Sequence, residues 1–149
     1  ERGPRIGGPA SAIAHTTFKL TWRRDYQPRN GGCVLASARP KLVITYTLPK
    51  PASKLPAGVR GNWDTFIAGV RAHEKVHGAM ITDMVREIVE VSVGLTVEND
   101  PDCTRIRKEL TSRLAEISKE QRRRSREFDK AEMSKGGNVH QLILALVNG

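Results

Sequence analysis

The sequence predicts an α+β fold in which a small antiparallel sheet is followed by a long helical hairpin. Over the first third of the chain, apolar and polar residues alternate in short segments, as they do in half-buried strands. From residue 62 onward, apolar residues recur every three or four positions, as on amphipathic helices. The change of period follows a segment rich in Pro and Gly, 49–61, which we interpret as a linker.

The first third of the chain is expected to contain three strands. Phe18, Leu20 and Trp22 alternate with polar residues, and the last of the three segments is rich in β-branched and aromatic residues. Pro40 breaks the second strand from the third, and short connections favour an antiparallel meander. The predicted strands are 16–22, 33–37 and 41–48, with an irregular lead-in at 1–15 and a turn region at 25–32.

Two long amphipathic helices are predicted after the linker. Asn62 is a plausible N-cap for the first, which ends at Gly94 or Asn99. The second opens at Asp100–Asp102, with Pro101 near its first position, and stops at Gly136–Gly137. The apolar stripe of the first comprises Trp63, Phe66, Ile67, Val70, His77, Ile81, Met84, Val85 and Ile88, and that of the second comprises Cys103, Ile106, Leu110, Leu114, Ile117, Gln121 and Phe128.

Segment 138–147 closes the chain as a short helix with Val139, Leu142, Ile143 and Leu146 on its apolar side, or as a buried strand, since its periodicity is blurred.

A length of 149 residues suits one domain, 1–149. Because the chain opens with Glu1 and shows no signal peptide, it reads as a mature or trimmed form. No apolar run approaches the roughly 18 residues that a membrane span needs.

The composition is that of an ordinary globular protein, but the net charge is +9. The densest basic run, Arg122–Arg126, lies in a helical pattern that also carries glutamates, which is typical of a solvated helix face. Aromatic residues make up only 5% of the chain, so a platform that stacks nucleic-acid bases is not expected. We therefore expect no nucleic-acid partner, while an acidic substrate, an anionic partner or a negatively charged envelope surface remains open.

The two cysteines, Cys33 and Cys103, lie far apart and without CxxC spacing, which argues against a thiolate zinc site. Spacing alone leaves two alternatives, a long-range disulfide or two buried free thiols.

The motif that carries chemistry lies inside the first long helix, where His73-Glu74-Lys75-Val76-His77 forms an H-E-x-x-H pattern. Residues four apart on a helix differ by about 40° around its axis, so the two imidazoles reach a common point and can bind Zn²⁺. Glu74 projects about 100° further round, where it can act as general base on a metal-activated water. Glu74 and His77 fall near the apolar stripe, and a metal offsets the cost of burying them.

These residues resemble a bacterial family of predicted secreted zinc-dependent proteases. The likeness covers nearly the whole chain and rests on Thr16–Trp22, Gly32–Val34, Ile44–Pro49, Trp63 with Phe66 ahead of the H-E-x-x-H motif, Cys103 and Phe128–Asp129. The resemblance implies a zincin-like fold, hydrolysis of peptide bonds in a peptide or protein substrate, and a secreted or periplasmic location. It also favours a disulfide between Cys33 and Cys103.

The resemblance implies a third zinc ligand and also shows a departure. Asp129 matches the family pattern and is the favoured third ligand, followed by Glu132, on the same helix face as Phe128, and then by His140. Where the family pattern has Tyr, Thr and His, this chain has Phe128, Glu132 and Ser134.

Three functions follow as hypotheses. The first is a zinc-dependent peptidase with His73, His77 and Asp129 as ligands and Glu74 as general base. The second is a catalytically impaired zinc-binding envelope protein on a zincin scaffold, suggested by the departures at Phe128 and Ser134. The third, a basic nucleic-acid binder, rests on charge alone and predicts steeply salt-dependent DNA affinity.

Overall fold

The structure is a computed structural model that describes residues 14–51 and 54–148. Within these residues, three strands and three helices occur in the order β1–β2–α1–β3–α2–α3, which confirms a mixed α+β fold with a small antiparallel sheet followed by helices. The elements are β1 His15–Arg29, β2 Gly32–Thr47, α1 Ala57–Ser92, β3 Thr96–Val97, α2 Arg105–Met133 and α3 Asn138–Asn148. Most of the expected irregular lead-in, 1–13, lies outside the described residues.

β1 and β2 form one long hairpin. The prediction of a turn region over 25–32 is wrong, because only Asn30 and Gly31 separate the strands, with φ of 54° and 78°. Two successive residues with positive φ are the signature of a type I′ turn, and Asn-Gly is a favoured pair for it. The Asn30–Gly31 pair is therefore a sufficient sequence signal for a hairpin turn, and Pro28 does not interrupt the strand before it.

β2 runs without a break through Pro40, so the prediction of separate strands at 33–37 and 41–48 is also wrong. Residues 32–35 and Ala38 are buried, whereas residues 39–41 are exposed. Pro40 lies beyond the short stretch of β2 that pairs with a third strand, where proline is tolerated.

The third strand of the sheet comes from the segment after α1. β3 pairs antiparallel with β2 through Cys33↔Val97 and Val34↔Thr96, giving the strand order β1-β2-β3. The predicted meander of three consecutive strands is therefore corrected to a hairpin plus one short strand contributed after a helix. A two-residue strand carries too little periodicity to be recognised in the sequence.

α1 begins at Ala57 rather than at the predicted Asn62 cap. The carbonyl of Pro56 accepts the N–H groups of Val59 and Arg60, which starts the helix within the supposed linker. Gly94, with φ of 88°, follows the end of the helix, as predicted for one of the two proposed stops.

α2 begins at Arg105, four residues later than Pro101. Cys103 adopts φ of 58°, which no helix accommodates. The Asp100 carboxylate instead accepts the backbone N–H groups of Thr104, Arg105 and Ile106, at 2.9 to 3.0 Å, and so caps the helix from outside it. α3 forms as a helix, and the alternative of a buried strand is excluded.

The described residues fall into two compact units. One contains residues up to Thr17, 44–79 and those from Arg124 on, and its apolar core gathers Ala14, Phe66 and Val70 with flanking side chains from α3. In this unit the antiparallel pairing of α1 with α2 carries the candidate site.

The other unit contains 18–43 and 80–123. Its core gathers Cys33, Leu35, Ala38, Cys103, Ile106 and Leu110. The favoured disulfide between Cys33 and Cys103 is confirmed, with Cα atoms 5.3 Å apart. In the described part of the chain, no helix is long and apolar enough to span a bilayer.

Candidate metal centre

α1 carries His73 and His77 one turn apart on its buried face. Their exposed fractions are 2% and 9%, and their ring centroids lie 5.1 Å apart. Phe66 and Val70, on the turns before them, are buried in the core of the same unit and orient this face of the helix inward. The local sequence therefore places both imidazoles in the interior, where an unpaired polar group is costly.

Asp129 on α2 joins the two imidazoles. Its Oδ1 atom lies 2.8 Å from His73 Nε2 and 2.6 Å from His77 Nε2. One ligand atom from each residue can be chosen so that all three lie within 4.8 Å of one another. The structure thus brings together the three residues that the sequence nominates as metal ligands, and the side chain of Asp129 is 36% exposed, so the cluster opens toward solvent.

The other nitrogen of each imidazole also faces an oxygen atom. His73 Nδ1 lies 3.2 Å from Glu132 Oε1, and His77 Nδ1 lies 2.6 Å from Ser125 Oγ. Glu132, the second choice for a ligand, therefore sits on the side of His73 that points away from the cluster. A histidine whose Nδ1–H is held in this way presents Nε2 to a metal.

The charges of the site reinforce this arrangement. Burial lowers the pKa of His73, but hydrogen bonds to Asp129 and Glu132 outweigh it, with added attraction from Asp129 and Glu74, so the pKa is raised above its ordinary value. Burial raises the pKa of Asp129, but its hydrogen bonds to His73 and His77 and their charges hold it well below the usual range. Both nitrogens of His73 face carboxylates, which requires either two protons or one proton and a cation.

Glu74 is buried beside the cluster, with an exposed fraction of 2%. Thr16, from β1, donates its hydroxyl to Glu74 Oε1 at 2.8 Å and to the Glu74 carbonyl at 3.1 Å. The second carboxylate oxygen, Oε2, lies 3.9 Å from His73 Nε2. Glu74 thus turns one oxygen to the sheet and the other toward the point where the imidazoles and Asp129 meet.

Phe128 forms one wall of the site. Its ring stacks on His73 at 4.6 Å with an interplanar angle of 18°, and meets His77 edge-on at 5.4 Å. His140, the third choice for a ligand, accepts the N–H of Gly136 with its Nδ1 and is not in the cluster. Ser134 Oγ bonds to the Lys130 carbonyl, so neither position supplies a donor to the site.

The donor set fits a zinc ion. Two imidazole nitrogens and one carboxylate oxygen, with a side left open, match the ligands of catalytic zinc sites. Ligands of a tetrahedral zinc lie about 3.3 Å apart, from bond lengths near 2.05 Å. The nitrogen–oxygen distances of 2.6 and 2.8 Å are hydrogen-bond distances, so zinc binding requires the carboxylate to withdraw by roughly half an ångström.

Sequence reasoning missed two residues that hold the site, Ser125 and Thr16. Ser125 lies four residues before Asp129 on α2, hence on the same helix face, and that spacing was a usable signal. Thr16 reaches Glu74 from a strand 58 residues away, and no local pattern reports such a contact.

A family model described as "Bacterial protein of unknown function (DUF922)" matches residues 1–137. The match covers the H-E-x-x-H motif, Asp129 and Glu132. No curated protein and no solved structure matches the chain.

Proposed function

The chain belongs to DUF922, a bacterial family of unknown function, and we propose that this member is a zinc-dependent peptidase. One observation carries the proposal: Nε2 of His73, Nε2 of His77 and Oδ1 of Asp129 converge on one point, and a buried glutamate from the same H-E-x-x-H motif faces it. Buried histidines serve many structural roles. A carboxylate on the far nitrogen of His73 and a second one beside the shared point favour a metal site over simple packing.

His73, His77 and Asp129 are the residues that would hold the ion. When bound there, zinc acts as a Lewis acid that activates water and polarises a carbonyl oxygen. Glu74 would take a proton from the attacking water through Oε2 and return it to the leaving amine, a role supported by the hydrogen bond from Thr16 to its other oxygen. Phe128 excludes water from one face of His73 and packs edge-on against His77, which strengthens the interactions of Asp129.

The substrate class is a peptide or protein, and the proposed location is secreted or periplasmic. The disulfide between Cys33 and Cys103 supports an oxidising compartment, since such bonds are rare in the cytosol. The resemblance of the H-E-x-x-H segment and its flanks to a family of predicted secreted zinc-dependent proteases supports both statements.

The experiment pairs metal analysis with hydrolysis of an unfolded protein substrate. We expect one zinc per chain after loading, and none in His73→Ala. Glu74→Gln is expected to keep zinc and to lose at least about 100-fold in rate, the low end for a general base. Glu90→Gln, an exposed glutamate on the same helix, is the matched control and should leave the rate unchanged. A chain that takes up no zinc under replete conditions rules out the metal site, and a wild-type rate in Glu74→Gln rules out its role.

A catalytically impaired zinc-binding protein is the second candidate. Phe128 and Ser134 occupy the positions where the resemblance implies Tyr and His, and neither contributes a hydrogen-bond donor to the cluster. This candidate predicts stoichiometric zinc, lost in His73→Ala, with no hydrolysis of any peptide in a library by the wild-type protein.

A further inference from the structure

The outward face of the β1–β2 hairpin is strongly basic. Lys19, Arg23 and Arg29 lie at odd positions of β1 and are exposed, whereas the even positions from Leu20 to Tyr26 are half-buried. Arg39 and Lys41 on β2 are exposed as well, at odd positions, whereas the even positions that follow, Leu42 and Ile44, are half-buried. We call these five residues the basic sheet face: Lys19, Arg23, Arg29, Arg39 and Lys41. All of them lie in one compact unit.

The basic sheet face lacks internal compensation. In the described part of the chain, none of its five cations forms an ion pair with an acidic residue. Asp25, which shares the face, accepts a hydrogen bond from Gln27 at 2.8 Å instead. On α2, by comparison, Arg113 pairs with Glu109 and Arg123 with Glu120, at 2.9 and 2.7 Å. The hairpin is therefore a surface on which an uncompensated part of the net charge of +9 is presented to a partner.

The shape of the face selects among anionic partners. A two-stranded ribbon holds its outward side chains on one side, with alternate residues about 6.6 Å apart along a strand and neighbouring strands about 4.8 Å apart. Trp22 and Tyr26 point to the opposite side, where they pack on the core around Cys33, so no aromatic ring stands on the face to stack on nucleobases. An array of cations on one side of the ribbon, without stacking groups, suits a phosphate-bearing surface.

The oxidising compartment that the disulfide indicates also favours a phosphate-bearing surface as the partner. The Cys33–Cys103 disulfide lies in the core that underlies this hairpin, and such a bond belongs to an oxidising environment outside the cytosol. Anionic phospholipid headgroups present an extended phosphate surface to a protein in such a compartment. Val43, 49% exposed at the next odd position after Lys41, adds a small apolar contact beside the cations.

We propose that the basic sheet face docks the protein peripherally on a bilayer that contains anionic phospholipid. The docking is electrostatic, with Arg23 and Lys41 near the middle of the face. It does not depend on the metal centre, because all five cations belong to the other compact unit.

Vesicle sedimentation tests the proposal. The full chain is mixed with vesicles of phosphatidylcholine containing 30% phosphatidylglycerol, or with phosphatidylcholine alone, in buffer of low and high salt. We expect binding to the anionic vesicles alone and its loss near 1 M salt, where the Debye length falls to about 3 Å. Binding to the neutral vesicles at the same level, or no binding to anionic vesicles at low salt, overturns the proposal.

Charge variants locate the face. One basic residue near an anionic surface contributes about fivefold in partition, the equivalent of about 1 kcal/mol. The double variant Arg23→Glu/Lys41→Glu is therefore expected to weaken binding at least about 25-fold, and Arg23→Gln/Lys41→Gln about 25-fold. Lys108→Glu/Lys119→Glu makes the same change in net charge on exposed positions of α2 and is the matched control. An equal loss in this control shows that net charge, and not the face, causes binding.

Two further measurements test whether unfolding of the variants or binding to nucleic acid explains the result. Circular dichroism melting of each variant must match the wild type, as expected for exposed positions that stay charged or polar. A duplex oligonucleotide is titrated in the same buffer, and tighter binding to it than to the anionic vesicles overturns the lipid assignment. His73→Ala should bind vesicles as the wild type does, so failure of the peptidase proposal leaves this one standing.

Discussion

Glu132→Gln probes how the metal centre is held without touching a proposed ligand. Glu132 accepts from His73 Nδ1 at 3.2 Å, and its side chain is only 18% exposed, so solvent screens its charge weakly. The amide of Gln retains the size and one acceptor oxygen but removes the charge. Hydrogen bonds to an ionised acceptor are roughly twice as strong as neutral ones, and outer partners of ligating histidines typically affect metal affinity by 10- to 100-fold. We expect zinc affinity to fall within this range, about 1.4 to 2.7 kcal/mol.

The assay is competition for zinc against a chromophoric chelator at fixed pH and salt. Glu116→Gln, an exposed glutamate on the same helix, makes the same chemical change away from the cluster and should leave affinity within twofold of wild type. Ser125→Ala is the parallel variant for His77 and should weaken binding in the same direction, since it removes the partner at 2.6 Å. Wild-type affinity in both Glu132→Gln and Ser125→Ala would refute the reasoning that these side chains orient the imidazoles.

The remaining predictions concern stability and are measured by thermal and urea denaturation of the metal-free chain. Replacing Cys33 and Cys103 by Ser should cost about 4 kcal/mol, because the disulfide closes a loop with a sequence separation of 70; an unchanged urea midpoint would contradict this. Burial raises the pKa of Asp100, but the backbone N–H groups at the start of α2 outweigh it, so the pKa is lowered from 3.8. The contribution of this carboxylate to the free energy of unfolding is fully present above its unfolded-state pKa, and it is lost as the pH falls through the lowered folded-state pKa. Asp100→Asn should therefore melt lower at pH 7 and show a shallower fall in Tm between pH 5 and 2; an equally steep fall would count against it. Gly137→Ala should destabilise by about 1–3 kcal/mol, since a Cβ there lies 2.2 and 2.5 Å from two backbone oxygens of α2, whereas Gly58→Ala meets nothing within 4 Å and should be neutral or stabilising.

Much of the secondary structure could be predicted because its signals are local. A period of three or four predicts the stripes of α1 and α2, and the buried apolar residues of both helices fall on them, as Phe66, Val70, Ile106 and Leu110 show. The positions that were wrong are those where a distant contact overrides local preference. Cys103 adopts a left-handed conformation while bonded to Cys33, and this delays the start of α2.

In the strands, too, local sequence signals determine some features and distant contacts determine others. Asn30–Gly31 is a local turn signal, and giving it priority over Pro28 would have predicted the hairpin. Pro40 is a local breaker, yet β2 continues through it, because pairing along the hairpin continues on both sides of that residue. β3 exists only as two residues paired with Cys33 and Val34, so its identity as a strand depends entirely on its partner.

At the metal centre, helix periodicity alone specifies that His73 and His77 share a face with Glu74 beside them, because positions within one turn of a helix have a set geometry. Which side chain of α2 meets them is not a local property. Ser125, Asp129 and Glu132 lie on one face of that helix, and a shift of one turn, about 5.4 Å, would exchange them. The axial offset between the helices comes from non-local packing, including Phe128 against both imidazoles, and it places Asp129 at the two Nε2 atoms and Glu132 behind His73.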